Sequence, residues 1–221
     1  MFDTAESSSL ADRRADATRD AIVDAAWQLS REQGLTGWSL RELARAVGVK
    51  APTLYAYVDS KLAIYDLMFR QGWDEMNRVA ARWSFADPDG DHRRAFKRSM
   101  QGFMAFCTSD PTRYHLMFQR IVPDFSPSET AYAASVASYE QFRAHMAEIG
   151  ITDDADLDLW TAISVGLTDQ QITNDPGGDR WTRLLDAAVD MFCDHVGIPD
   201  ATTGGQIANN RQTNHDREQR P

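Results

Sequence analysis

Apolar residues recur at intervals of three and four along most of this 221-residue chain, and almost no stretch alternates with period two, so the sequence predicts an all-α fold. A helix brings one face back to its neighbours every 3.6 residues, whereas a half-buried strand needs the alternation that is missing here. Hydrophobic residues make up 43% and charged residues 25%, which provides side chains for a packed core and excludes a wholly disordered chain. No apolar run approaches the ~18 residues of a membrane helix, and residues 1–14 lack the apolar segment of a secretory signal, so the expected location is the cytoplasm. Cys107 and Cys193 allow at most one bridge and read as free, small apolar residues.

Punctuation divides the pattern into helices. The first is expected over about 16–33, with Ile22, Ala26 and Leu29 on one face and Gly34 ending it. The second starts at Ser39, which forms a capping box with Glu42, while Trp38 and Leu43 stand where a hydrophobic staple fixes the chain's entry angle. Gly48 supplies a turn after residue 46 or 47, and Pro52 fits the first turn of a third helix at about 51–57. Asp59 or Ser60 caps a fourth, in which Leu62, Tyr65, Met68, Phe69 and Trp73 keep helical spacing toward 83. After a break at 87–90, a helix over about 92–107 is followed by a restart at Asp110-Pro111. Ser126-Pro127-Ser128-Glu129 opens a long helix whose apolar face is Tyr132, Val136, Tyr139, Phe142, Met146 and Ile149. Two last helices, about 153–172 and 179–196, carry stripes expected of a dimer face: Leu157, Ile163 and Leu167 on one, Trp181, Leu185, Ala188 and Phe192 on the other. Residues beyond Pro199 are polar and patternless, and a disordered tail is expected over 200–221.

The two short helices around Gly48 have the spacing of a helix-turn-helix, with Leu43, Val47, Leu54 and Val58 facing inward and Ala44 small where the helices cross. The outward side then carries Lys50, Thr53, Tyr55 and Tyr57, with Lys61 just after, all suited to phosphate oxygens. Arg41 has the planar fork that grips guanine O6 and N7 together. Overall charge argues the other way, because 23 basic against 33 acidic side chains leave −10. The acid is unevenly spread. Residues 12–70 hold 9 Lys+Arg and 8 Asp+Glu, a net of +1, so the remainder carries −11 and a DNA-facing surface is confined to the first third.

The run Ser39-Leu40-Arg41-Glu42-Leu43-Ala44-Arg45-Ala46-Val47-Gly48-Val49-Lys50-Ala51-Pro52-Thr53-Leu54-Tyr55-Ala56-Tyr57-Val58, followed by Ser60-Lys61, resembles the TetR family of bacterial transcriptional repressors. The strong match covers about 16–67, and the rest is similar in length and helical pattern only. The resemblance implies a three-helix DNA-binding head over 16–65 with its helix-turn-helix at 39–58, behind a flexible tail at 1–15, and a larger helical ligand-binding and dimerisation domain over 66–199. It also implies a homodimer on a near-palindromic operator, released by a small-molecule inducer. Carried over by position, base reading falls on Arg41, Lys50 and Ala51, and phosphate contacts on Ser39 or Leu40, Thr53, Tyr55, Tyr57 and Lys61. Leu40 departs from the hydroxyl residue often found at its place, and Tyr57 from histidine.

In the body, Phe103, Phe106, Tyr114, Met117, Phe118 and Trp160 are the candidates to line an inducer pocket, although aromatic and methionine stripes at helical spacing are more often plain core. Arg93, Arg94, Lys97 and Arg98 form a basic run, read as a solvated face or an acidic-ligand site. The histidines show no metal-ligand spacing, and no nucleophile elbow, phosphate loop or dinucleotide fingerprint occurs. No metal, cofactor or catalysis is therefore expected. The rival to a repressor is a helical ligand-binding or scaffolding dimer whose head binds DNA weakly or not at all, with an all-helical enzyme third.

Overall fold

The computed structural model describes residues 3–201, with side chains from residue 15 onward. Among the described residues the secondary structure is helical throughout: α1 (Asp3–Gln33), α2 (Leu40–Val47), α3 (Ala51–Leu54), α4 (Lys61–Ala80), α5 (His92–Ser109), α6 (Pro111–Phe118), α7 (Glu129–Glu148), α8 (Asp154–Asn174), a 3-10 turn (Thr182–Leu184) and α9 (Leu185–Val196). The expected caps are in place. Asp110 Oδ1 accepts from Arg113 N at 3.1 Å to open α6, Ser128 Oγ from Ala131 N at 3.2 Å to open α7, and Ser60 Oγ from Ala63 N at 3.1 Å to open α4.

The chain forms two compact units, each with its own core. The first takes in the described residues up to Asn77 with Asp110–Ala137, and so extends past the boundary at 65/66 that the resemblance implies. Ile22, Val23, Ala26 and Trp27 of α1 pack there with Leu43 and Ala44 of α2, Leu54 of α3, Ile64, Tyr65 and Met68 of α4, and Leu116 of α6. The second unit, Arg78–Ser109 with the described residues from Ser138 on, centres on Phe85, Phe96, Met100, Trp160, Leu185 and Phe192. Trp160 lies 4.8 Å from Phe96 and 5.1 Å from Phe192 between ring centroids, a spacing at which aromatic quadrupoles attract.

Several expectations are corrected. Helix α1 starts at Asp3 rather than near 16, because neither Gly nor Pro occurs before Gly34 to interrupt it. Helix α4 ends at Ala80 rather than near 83, its last carbonyls accepting from Arg82 N and Trp83 N in a tightened turn. The first half of the α7 stripe is not core, since Tyr132, Val136 and Tyr139 are exposed. On α8 and α9 the stripe read as a dimer face points into the second unit's own core. Leu157, Leu185 and Phe192 are buried, Ile163 and Leu167 pack against the same cluster, and Trp181 and Ala188 are half-buried. A strong apolar stripe fills a helix's inward face first, so the surface stripe is the weaker one beside it: Ala155, Leu159, Ala162 and Gly166 on α8, with Leu184, Ala187 and Met191 on or just before α9. The basic run is largely neutralised inside its unit. Arg93 meets Asp194 at 2.5 Å and the Ile198 carbonyl, Arg94 meets Asp87 at 3.0 Å, and Lys97 meets Asp190 at 2.7 Å. These partners raise the pKa of Arg94, through its hydrogen bond to Asp87 first, and lower that of Asp87. The tail expected at 200–221 lies outside the described residues from 202 on.

Candidate nucleic-acid interface

The site begins with a well-made helix start. Ser39 Oγ accepts from Glu42 N at 3.3 Å, and Glu42 Oε2 accepts from Ser39 N at 2.8 Å and from Ser39 Oγ at 2.6 Å, so the capping box is complete. These bonds favour the ionised carboxylate and hold the Glu42 pKa below its ordinary 4.5. They also commit the Ser39 hydroxyl to the cap, where the resemblance gives it or Leu40 a phosphate. Leu40 is half-buried against the first unit's core and offers no polar atom.

Helix α2 ends in a Schellman motif. Gly48 adopts φ 78°, a left-handed conformation open to glycine without strain, and Gly48 N and Val49 N donate to Arg45 O and Ala44 O at 3.1 and 2.9 Å. That reversal carries the chain into α3, where Pro52 stands in the first turn and Lys50 precedes the helix. The regular helix lasts only to Leu54 rather than to Tyr57. Beyond it, Ala56 N bonds Thr53 O and Tyr57 N bonds Leu54 O, the tighter three-residue pattern common where a short helix ends. One turn of helix has no stability of its own. Leu54, with no exposed surface, and Val58 anchor it, and Leu43 and Ala44 anchor α2, which leaves the opposite sides of both helices free.

On those free sides the structure brings together Arg41, Lys50, Thr53 and Tyr55, all exposed, with Tyr55 showing 54% of its surface. Arg45 joins them. It stands one helical turn after Arg41 on the exposed face of α2, a four-residue spacing visible in the sequence but passed over there. Ala51 and Tyr57 are half-buried against the core, so their accessible edges alone face outward.

Lys61 is placed differently from expectation. Its ammonium donates to Trp38 O at 2.6 Å and Thr36 O at 3.1 Å and lies 4.2 Å from the centre of the Trp38 ring. Two of its three N–H bonds therefore brace the loop before α2. Burial pulls its pKa below 10.5, with Glu42 opposing that shift. Tyr65 completes the brace by donating its hydroxyl to Leu35 O, and burial pushes its pKa up to about 12.

The inducer candidates divide between the two units. Tyr114, Met117 and Phe118 belong to the first unit, where Tyr114 and Phe118 stack at 5.1 Å, and Phe103, Phe106 and Trp160 belong to the second. Trp160 is core, its indole N–H directed at Met100 Sδ 3.2 Å away. Met117 and Phe118 line a cavity of about 150 Å³ in the first unit. Among the described residues no group of three or more His, Cys, Asp or Glu is placed to hold a metal ion.

A compact helix-turn-helix with an exposed basic and hydroxyl-bearing side, within an all-helical chain, is the architecture of a DNA-binding regulator. Residues 22–68 match the family described as "Bacterial regulatory proteins, tetR family". The tetracycline repressor protein class D of Escherichia coli is 40% identical over 50 residues, which span 23% of this chain and 23% of that protein. Two solved structures share the fold over most of their length. The TetR family transcriptional regulator PfmR from Thermus thermophilus covers 77% of this chain and 96% of its own at 19% identity and a TM-score of 0.57. AibR, solved with isovaleryl coenzyme A and operator DNA, covers 79% and 97% at 16% identity and 0.56. Residues 22–68 are thus a tetR-family segment within this chain. Its matched stretch spans about a quarter of the tetracycline repressor's length.

Proposed function

We propose that this chain is a cytoplasmic, homodimeric transcriptional repressor that binds a near-palindromic DNA operator through its helix-turn-helix and is released when a small molecule binds the helical body. The observation that carries this reading is the exposed set Arg41, Arg45, Lys50, Thr53 and Tyr55 on the free sides of α2 and α3, backed by fully buried Leu43 and Leu54. Arg41, Lys50 and the outer edge of Ala51 would meet base edges in the major groove. Thr53, Tyr55, Tyr57 and Arg45 would meet phosphates, which fix register without reading sequence. Catalysis has no part in this reading.

The dimer follows from the outward stripe of α8 and α9. Leu159 and Leu184 are 41% and 42% exposed and Met191 is 70% exposed, while Ala155, Ala162, Gly166 and Ala187 keep the helix surface low enough for a second copy to approach. A two-fold pair presents its recognition helices to successive major grooves about 34–36 Å apart. A ligand that alters that spacing acts through a coupling free energy of about 1–3 kcal/mol, and DNA must weaken ligand binding by the same factor. Proteins similar to this chain support both halves of the proposal: one is a tetracycline repressor, and AibR was solved with isovaleryl coenzyme A and operator DNA.

Selection from a random duplex pool, followed by titration of the winner at two salt concentrations, tests the reading. A palindrome is expected, bound with an affinity that falls with salt by a logarithmic slope of about 0.9 per phosphate contact. Enrichment of nothing, or binding indifferent to salt, refutes it in favour of a ligand-binding or scaffolding dimer with an inactive head.

A further inference from the structure

The 150 Å³ cavity of the first unit is partly open, and its walls include Phe69 of α4, Met117 and Phe118 of α6, Arg120 and Phe125 of the α6–α7 loop, and Tyr132 of α7. Pockets for drug-sized ligands run to about 300–1,000 Å³, so this one has room for about one ring and its substituent. Its aromatic walls are held from behind. Phe118 stacks on Tyr114 and lies 5.0 Å from Trp73, while Phe125 lies 5.8 Å from Tyr65 and 6.3 Å from Phe69. Rings fixed in this way offer a guest ring faces and edges without reorganising. The lining holds one cation and no carboxylate. Arg120 is exposed and forms no ion pair with any described residue, whereas the buried arginines Arg93 and Arg113 are answered by acids.

We propose that this cavity binds a small aromatic carboxylate, with its ring among Phe69, Phe118, Phe125 and Tyr132 and its carboxylate on the Arg120 guanidinium. The charge pattern selects this class. An amine would find no acid to meet it, and a neutral ring would gain no charge-assisted bond from the guanidinium. A carboxylate receives two parallel N–H bonds from the guanidinium fork.

The position of the cavity gives occupancy a consequence, and this step rests on the repressor reading above. Leu116, Val122 and Phe125, which also line it, pack into the same core as the helix-turn-helix. The segment that walls it, α6 with the loop after it, is fastened at both ends. Asp110, the cap of α6, takes two hydrogen bonds from Arg31 of α1 at 2.7 and 3.0 Å, and Ser128, the cap of α7, donates from N and Oγ to Asp66 of α4 at 2.6 and 2.7 Å. A guest that shifts this loop pulls on α1 and α4, the helices that support α2 and α3. It therefore weakens DNA binding.

The test uses the full chain, sodium benzoate as probe and benzamide as its neutral counterpart, with calorimetry for binding and fluorescence anisotropy for a selected duplex. Benzoate is expected to bind saturably, at least tenfold more tightly than benzamide, and to lower duplex affinity. Arg120→Gln, an exposed change that leaves the fold intact, is expected to weaken benzoate at least tenfold and benzamide hardly at all, with Arg120→Lys in between. No saturable benzoate binding, equal binding of benzamide, or an Arg120→Gln variant that binds benzoate as before overturns the site. Duplex binding without benzoate binding removes this inference and leaves the repressor standing, whereas benzoate binding without any duplex binding does the reverse.

Discussion

Replacing Lys61 by methionine separates two roles for one cation. The substitution keeps the apolar stem and removes the ammonium, so it deletes the bonds to Trp38 O at 2.6 Å and Thr36 O at 3.1 Å and the cation above the Trp38 ring. A hydrogen bond from a charged donor contributes about 1.5–3 kcal/mol where water is excluded, but Thr36 is exposed and its carbonyl is rehydrated, so about 1 kcal/mol per bond is appropriate here. The cation–π contact adds about 0.5–1 kcal/mol at a half-buried site. The expected loss is thus about 2–3 kcal/mol, or roughly 4–12 °C in Tm for a chain of this size. Circular dichroism during thermal and urea unfolding measures it, with duplex titrations over a range of salt alongside. As a brace, Lys61 makes no phosphate contact, and the salt slope should stay unchanged once the folded fraction is corrected for. An unchanged Tm together with a slope lower by about 0.9 would refute this reasoning and return Lys61 to the phosphate contacts.

Arg41→Ala should cost about 1–3 kcal/mol of operator affinity and relax preference at one base pair, as read by competition with single-position operator variants. Arg45→Ala should weaken all duplexes alike and lower the salt slope by about 1. Leu159→Glu combined with Met191→Glu should shift sedimentation to the monomer without loss of helical signal, since both side chains are outward on α8 and α9; an unchanged dimer would place the interface elsewhere. The capping box predicts a pH dependence. Because the Glu42 pKa is lowered in the folded state, its contribution is fully present above the ordinary value near 4.5 and is lost as pH falls through the folded value. Urea midpoints should therefore fall less steeply between about pH 6 and pH 3 in Glu42→Gln than in the parent chain, and identical profiles would show the box to be energetically idle.

The helix starts were legible because each is written in local chemistry. Ser39 and Glu42, Asp110 before Pro111, and Ser128 before Glu129 all bond as their spacing requires. The fate of outward side chains was less legible, because it depends on neighbours distant in sequence. Lys61 looks like a phosphate ligand until Thr36 and Trp38 are brought beneath it, more than twenty residues away. The stripes of α8 and α9 show a second limit. Periodicity reveals that Leu157, Leu185 and Phe192 share a face with a partner, but not whether that partner belongs to the same chain. The stronger stripe went to the core, and the weaker one through Leu159 and Met191 became the candidate interface. Arg120 gave no signal at all, since a lone arginine in a loop acquires meaning only from the rings folded around it.

The acidity of the chain, at first an argument against a nucleic-acid partner, becomes a device for orientation once the charges are located. Residues 12–70 carry a net of +1 while the remainder carries −11. Among the described side chains of that stretch the free cations are Arg41, Arg45 and Lys50, because Arg19, Arg31 and Arg70 pair with Asp16, Asp110 and Asp74 and Lys61 donates to backbone carbonyls. A duplex approaching the acidic remainder is repelled at distances up to about a Debye length, near 8 Å at physiological salt. On the repressor reading the helix-turn-helix, with Arg41, Arg45 and Lys50 exposed, offers attraction, so encounters that persist are those already facing it. On that reading non-specific affinity is expected to be low, since few phosphates are neutralised, and the ratio of specific to non-specific binding to rise without any further base contact. Reversing one acidic residue of the body, for example Asp186→Lys, would then raise affinity for random duplex more than affinity for the operator. Equal gains on both would show that the negative charge plays no part in discrimination.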